Sequence, residues 1–444
     1  MSSIDPGRTA LLPDEALRLV LDALPPVLTE TAGLRDCLGR SLPVAIPNLI
    51  DQPPFDKSGM DGFAYCPPPL PRPGAGAVYR VSRTLAAGIR DGGSILPGEC
   101  ARIMTGAPVP SGAAAVQRVE WTSPVLPAEV FFATGDENRD SAIGTFGATH
   151  AIDAIGIAGN EFVRFDRPET ADNIVMRGEN LKAGESLLTP RILEAQDIGI
   201  LASSGYFEVP VARRPVVGIL STGDEIVAPG AALPSGSIYD SNGPQLSAQV
   251  LASGCMARSY GIVRDDEGPL LDALGTALAE CDVVIVSGGV SMGDFDFVPS
   301  AFAKLGVEKV FHGLAMRPGK PTFYGRKGDK SVFGMPGNPV STFVNFEVLV
   351  RSHLNARMGI AYTPRILRAR LSAPLVRRGS DRVEFLPALL AAAPDGDGMT
   401  VSKLAYHGSS MLSVLSRADC LVRMDMGVER MEEGEVVDVR LLRA

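Results

Sequence analysis

Arg317 and Lys320 flank a Pro-Gly pair in the run Met316-Arg-Pro-Gly-Lys-Pro321, so two cations stand in one short, stiff loop. A planar guanidinium and a point-charge ammonium held this way suit a dianion such as phosphate. A solvated basic turn is the plainer alternative, and the doubled proline weighs against it. Just downstream, Gly334-Met-Pro-Gly-Asn-Pro-Val-Ser-Thr342 reads as a strand end running into a helix. Asn338 is a suitable cap and Pro339 suits the first helical position. Free backbone amides at such a start favour an anion, which makes Pro336, Asn338 and Ser341 candidates for the same role.

Carboxylates gather at comparable points. The stretch from Asp282 to Asp296 is a strand, apolar from Val283 to Val286, entering a loop with Gly288, Gly289, Ser291, Gly293, Asp294 and Asp296. The glycines let the backbone turn tightly against a ligand. Val216 to Leu220 leads likewise into Ser221-Thr-Gly-Asp-Glu225, followed by Tyr239-Asp-Ser-Asn242. Asp224, Glu225 and Asp240 are costly there unless a cation or donors meet them, although Asp240 to Asn242 can also simply cap a helix. In open α/β sheets ligands collect at the carboxyl ends of strands. Three strand ends of this type in one segment are expected to meet at one edge.

Two further motifs lie in the first half. Asp51-Gln-Pro-Pro-Phe-Asp-Lys-Ser-Gly-Met-Asp-Gly62 presents Asp56 and Asp61 on a turn stiffened by prolines. Such carboxylates can hold Mg²⁺ or orient a substrate, or can merely cap turns. In Arg102 to Ser111 the hydroxyl of Thr105, next to Gly106, can bond an oxyanion or mark a plain strand exit.

The elements that position these residues fall into blocks. A chain of 444 residues is too long for one core, and about three domains are expected. Pro13, Asp14 and Glu15 open a helix with Ala16, Leu17, Val20, Leu21 and Leu24 on one face. Val44 to Phe165 is rich in glycine and proline with short β-like runs. Gln196 to Arg351 alternates strand-like and helical patterns, the βαβ organisation of a parallel sheet flanked by helices. After Tyr362 short alternating segments return, as in a small β-domain. The net charge of −9 argues against general nucleic-acid binding, and no apolar run is long enough to span a bilayer. The six cysteines are scattered without a CxxC pair, so reduced thiols in a cytoplasmic protein are expected, and no signal peptide is evident.

Together these motifs resemble the molybdopterin molybdenumtransferase family. The resemblance runs through Pro53 to Gly62, the MTGAPVP element, Gly178-Glu-Asn-Leu-Lys-Ala-Gly-Glu185, STGDE, YDSN, SGGVSMGD, RPGKP, MPGNPVS and Gly408 to Ser413. It covers nearly the whole chain. It implies an α/β plus β multidomain, elongated chain: a discontinuous N-terminal linking domain (10–43 and 166–195), an inserted β-rich domain (44–165), a molybdopterin-binding αβα domain with a parallel sheet (196–358) and a small C-terminal β-domain (359–444). It implies a homodimer, and adenylylated molybdopterin and molybdate as substrates. Insertion of molybdenum would be accompanied by Mg²⁺-assisted cleavage and release of AMP. Asp61, Thr105, Glu225 and Asp240 match the family's catalytic positions, and Asp61, Glu225, Asp240 and Asp294 those that would hold the metal. Ser221, Thr222, Gly288, Gly289, Ser291, Asp294, Arg317, Lys320, Pro336, Asn338, Ser341, Arg382 and Ser409 match substrate- and anion-binding positions. An upstream adenylyltransferase and downstream molybdoenzymes are the implied partners; neither nucleic acid nor membrane is.

Two departures stand out. Gly313 occupies a position where the family often carries lysine, leaving one fewer cation near the anion site. Trp121 to Gly159 is longer than the family pattern and reads as an insertion. The competing readings are a scaffold paralogue without catalysis, and an adenylyltransferase or nucleotide hydrolase that shares only the α/β domain.

Overall fold

The computed structural model describes residues 10–22, 24–68, 76–126, 161–290, 297–394 and 396–442. The expected insertion lies, beyond Leu126, outside them, as do Ser291 and Asp294. The chain divides into two compact units: 1–44 with 190–195 and 208–444, and 45–189 with 196–207.

The second of these is built on a six-stranded sheet: β1 (Gly62–Tyr65), β2 (Val78–Leu85), β3 (Glu99–Ile103), β4 (Ala115–Arg118), β5 (Thr122–Val125) and β6 (Phe162–Phe165), in the order β4-β1-β3-β2-β6-β5. Only β2 and β3 run parallel. Phe63, Tyr79, Val81, Val163 and Phe165 fill one cluster, with the Tyr79 and Phe165 rings stacked 4.6 Å apart. Gly62 opens β1 because a β-carbon there would stand 1.9 Å from the Gln117 carbonyl oxygen.

The larger unit begins with helix α1 (Pro13–Leu21), whose first turn is closed by the Leu12 amide donating to the Glu15 carboxylate at 2.8 Å. Its mixed sheet takes β7 (Val216–Thr222), β8 (Met256–Val263), β9 (Val283–Ser287), β10 (Glu308–His312), β12 (Phe323–Lys327) and β13 (Lys330–Met335), in the order β8-β7-β9-β13-β12-β10. Strands β8, β7, β9 and β13 are parallel. Every residue of β9 is buried, as its unbroken apolar run requires between two layers of helices. Helices α2 (Asn242–Ala252), α3 (Glu267–Glu280) and α4 (Val298–Lys304) connect these strands; Leu270, Leu274 and Leu278 recur every fourth residue and are buried.

The βαβ pattern implies a parallel sheet, and β8, β7, β9 and β13 form one; the β13-β12-β10 edge added to it is antiparallel. Only Gly328 and Asp329 separate β12 from β13, and a two-residue turn can only return the chain antiparallel.

Strand β11 (Met316–Arg317) leaves this sheet for another. Helices α5 (Pro339–Asn345) and α6 (Arg351–Arg357) follow, separated by a π-helical turn at Phe346–Val350. The C-terminal strands β14 (Ile366–Leu371), β15 (Val383–Ala392), β16 (Met399–Lys403), β17 (Cys420–Met424) and β18 (Val436–Leu441) pair in the order β15-β16-β14-β18-β17. The pairing of β15 with β17 closes the ring, and β11 joins β15 in parallel.

Candidate active site

The three strand ends of the α/β sheet meet, and hydrogen bonds between their loops hold them. Asn242, first residue of α2, donates its amide to Ser287 Oγ and to the Gly337 carbonyl, each at 2.7 Å. One side chain thus ties the end of β9 to the loop after β13. Ser221, at the end of β7, donates to the Asp240 carboxylate at 2.9 Å, and that carboxylate also accepts the Gly243 amide at 3.0 Å. Asp240 therefore caps α2 and fixes Ser221 together. Gly288 has φ +98°, and a β-carbon on it would lie 2.2 Å from the Thr222 carbonyl oxygen, so only glycine lets β7 and β9 end this close together. Thr222 donates to Asp265, a carboxylate at this edge that the motif pattern misses. The Glu225 carboxylate lies over Gly223, and the Glu225 carbonyl accepts the Ile238 amide at 2.8 Å.

A second assembly surrounds the Arg317–Lys320 loop. A cavity of about 480 Å³ is lined there by Arg317, Lys320, Pro336, Asn338, Ser341, Arg382 and Ser409. Four separate stretches of chain are brought together: the loop after β11, the start of α5, the start of β15 and the segment after β16. Glu384, Lys403, Tyr406 and His407 line the same space and escape the motif reading. The walls carry the cations Arg317, Lys320, Arg382 and Lys403 against one carboxylate, Glu384, so the pocket favours an anion. Glu384 is buried, 3.5 Å from Arg317 Nε and 3.6 Å from Arg377 Nη1. The Ser409 carbonyl accepts the Val340 amide at 3.0 Å, which fixes the C-terminal segment to α5. The loop itself is braced: Lys320 O accepts from the Leu314 and Thr322 amides, and Thr322 Oγ1 donates to Gly319 O at 2.7 Å. Gly313 does not line the cavity.

In the other unit the first-half motifs form one network. Thr105 donates both its amide and its hydroxyl to Asp61 Oδ1, each at 2.7 Å. These two bonds, the amide first, hold the Asp61 carboxyl below the ordinary carboxylate range. Asp56 accepts the Arg177 amide at 2.7 Å, and Asp51 accepts Arg177 Nε at 2.6 Å and the Ala183 amide at 2.9 Å. Asp51 and Asp56 therefore stitch the segment around Gly178–Glu185 to the Pro53–Gly62 turn. Among the described residues no group of three or more His, Cys, Asp or Glu is placed to hold a metal.

Three family models match the chain: "MoeA N-terminal region (domain I and II)" over 11–205, "Probable molybdopterin binding domain" over 218–356 and "MoeA C-terminal region (domain IV)" over 368–442. The molybdopterin molybdenumtransferase of Bacillus subtilis is 31% identical over 441 residues, covering 98% of this chain and 95% of its own. The chain belongs to the molybdopterin molybdenumtransferase family. The enzyme of the same name from Staphylococcus epidermidis is 29% identical over 443 residues, covering 98% and 96% of the two chains. The crystal structure of a molybdopterin biosynthesis MoeA protein from Pyrococcus horikoshii matches with a TM-score of 0.78 at 28% identity, over 98% of this chain and all of the other. The fold is accordingly that of the molybdenumtransferases, with the α/β domain, the inserted β-rich domain and the C-terminal β-domain in one chain.

Proposed function

We propose that this molybdenumtransferase completes the molybdenum cofactor by binding adenylylated molybdopterin and molybdate, cleaving the phosphoanhydride and releasing AMP as molybdenum joins the dithiolene. Molybdenum transfer is the activity named for relatives matched over nearly the whole chain. The observation that carries the reading is the cationic pocket in which Arg317, Lys320, Arg382, Ser341 and Ser409 converge. Molybdate is a tetrahedral dianion, and guanidinium, ammonium and hydroxyl donors on several sides suit it. The dithiolene sulfurs belong to the pterin, so the chemistry needs no cysteine cluster from the protein.

The pterin nucleotide is assigned to the edge where Ser221, Thr222, Gly288 and Gly289 end their strands, with Ser291 and Asp294 next in the sequence as further candidates. Close backbone approach at Gly288 and the placement of ligands at strand ends support this. Asp61, kept ionised by Thr105, is assigned to orient the attacking water. Mg²⁺ takes one or two carboxylates and completes its shell with water and substrate phosphates, so the lack of a three-carboxylate cluster among the described residues fits it. Glu225 and Asp240 would hold it. When bound, the ion would neutralise charge on the phosphoanhydride.

We further infer a cytoplasmic homodimer that receives its substrate from an adenylyltransferase and supplies molybdoenzymes. Exposed Phe207, Leu49 and Ile50 offer apolar surface for self-association, and the six cysteines are free. The test is reconstitution. The protein, adenylylated molybdopterin, molybdate and Mg²⁺ are expected to activate a cofactor-free molybdoenzyme, and Asp61→Asn and Glu225→Gln to lower that activation at least tenfold. Full activation by both variants would refute the residue assignment. No activation by the unaltered protein would refute the function.

A further inference from the structure

Asn345 ends helix α5, is 0% exposed, and has no hydrogen-bond partner for either Nδ2 or Oδ1 among the described residues. A buried amide with both ends unbonded is unfavourable and calls for a reason. Its position supplies one. The side chain packs directly beneath Gly319, between Arg317 and Lys320 of the anion loop. A β-carbon on Gly319 would lie 2.5 Å from Asn345 Nδ2 and 2.9 Å from Oδ1. Ser341, one helical turn earlier on the same face, lines the anion pocket. Helix α5 thus offers a hydroxyl to the pocket and an unpartnered amide to the loop that carries its two cations.

We propose that Asn345 is a positioning residue for oxyanion binding. It bonds the Pro318–Gly319–Lys320 backbone in the anion-bound arrangement and so holds Arg317 and Lys320 toward the ligand. The bond forms only when the anion draws the loop inward, so the amide's satisfaction is coupled to ligand binding. An apolar residue of similar size would pack as well or better without it. The inference rests on the pocket's role as the molybdate site, and the experiment separates the two.

Tungstate, as the molybdate analogue, is titrated calorimetrically into the full-length protein and its Asn345→Leu variant, alongside adenylylated molybdopterin. The variant is expected to keep or raise the melting temperature, to bind tungstate about tenfold more weakly, the size of one lost hydrogen bond, and to bind the pterin nucleotide unchanged. Equal tungstate affinity in the two proteins overturns the positioning role. No tungstate binding to the unaltered protein overturns the pocket reading and this inference with it. Asn345→Thr, which retains one donor and acceptor, is expected to restore part of the lost affinity. Should Asn345→Leu not fold, a threonine variant that lost tungstate and pterin affinity equally would show a merely structural role and overturn the proposal.

Discussion

Glu384 stands opposite Arg317 in the parallel register that joins β11 to β15, and its buried carboxylate lies 3.5 Å from the Arg317 guanidinium. An acid in a pocket built for an anion follows from what lies behind it. Arg377, only 6% exposed at its side chain, meets the other carboxylate oxygen at 3.6 Å. Without Glu384 a buried guanidinium would lose its counter-charge, though it would still donate to the Val428 and Arg382 carbonyls. Glu384→Gln is therefore expected to lower unfolding free energy by about 1–3 kcal/mol. Denaturant titration checks this, and unchanged stability would mean that the carboxylate does not hold the arginine pair.

The Arg317 side chain is 56% exposed and lines the cavity, and Lys320, also exposed, lines it too. Arg317→Ala and Lys320→Ala should each raise the KM for molybdate by about 10- to 100-fold, the scale of a lost charge-assisted hydrogen bond. The remaining affinity should depend less on salt. Steady-state kinetics at two ionic strengths decide the matter; an unchanged KM in both variants would place the anion elsewhere.

Asp61 gives an acid limb whose position depends on Thr105. Both Thr105 bonds depress its pKa, so the ionised form persists below the usual carboxylate range and is lost only as pH falls through that lowered value. Thr105→Val removes the hydroxyl donor and keeps the amide. The acid limb of kcat/KM should then move to higher pH. A limb that stays in place would show that Asp61 ionisation does not limit turnover.

His353 makes stability pH-dependent. Complete burial, aided by Arg357, lowers its pKa to about 3 from 6.5. The folded value is the lower one, so the unfolded chain binds the extra proton between these limits. The contribution is complete above about pH 6.5 and is lost as pH falls toward 3, at roughly 1.4 kcal/mol per pH unit. His353→Leu should make the drop in unfolding free energy from pH 7 to pH 5 smaller by about 2 kcal/mol. An identical drop in both proteins would exclude His353 as its source.

The parts of the fold legible in the sequence are those whose pattern has one physical meaning. Val283 to Val286 is apolar on both strand faces, so it must be an inner strand, and β9 sits between β7 and β13. Leu270, Leu274 and Leu278 admit only a helix face. The cation pair at Arg317 and Lys320 is legible because prolines restrict the loop. Glu384, Lys403 and His407 are not, because nothing local in β15, β16 or the segment after β16 shows that they will meet the Arg317–Lys320 loop. Asn345 reads as an ordinary polar residue in an apolar helix, and its relation to Gly319 exists only in three dimensions. Asp265 is hidden beside Asp266, which caps α3 by accepting the Gly268 amide at 3.2 Å.

The most direct test of the account is AMP release from adenylylated molybdopterin, measured with and without molybdate in the presence of Mg²⁺, in the unaltered protein and in Arg317→Ala. The account predicts release that requires molybdate, is matched by formation of metal-bearing cofactor, and in Arg317→Ala recovers only at higher molybdate. Tight binding of the adenylylated pterin with no molybdate-dependent release would contradict it.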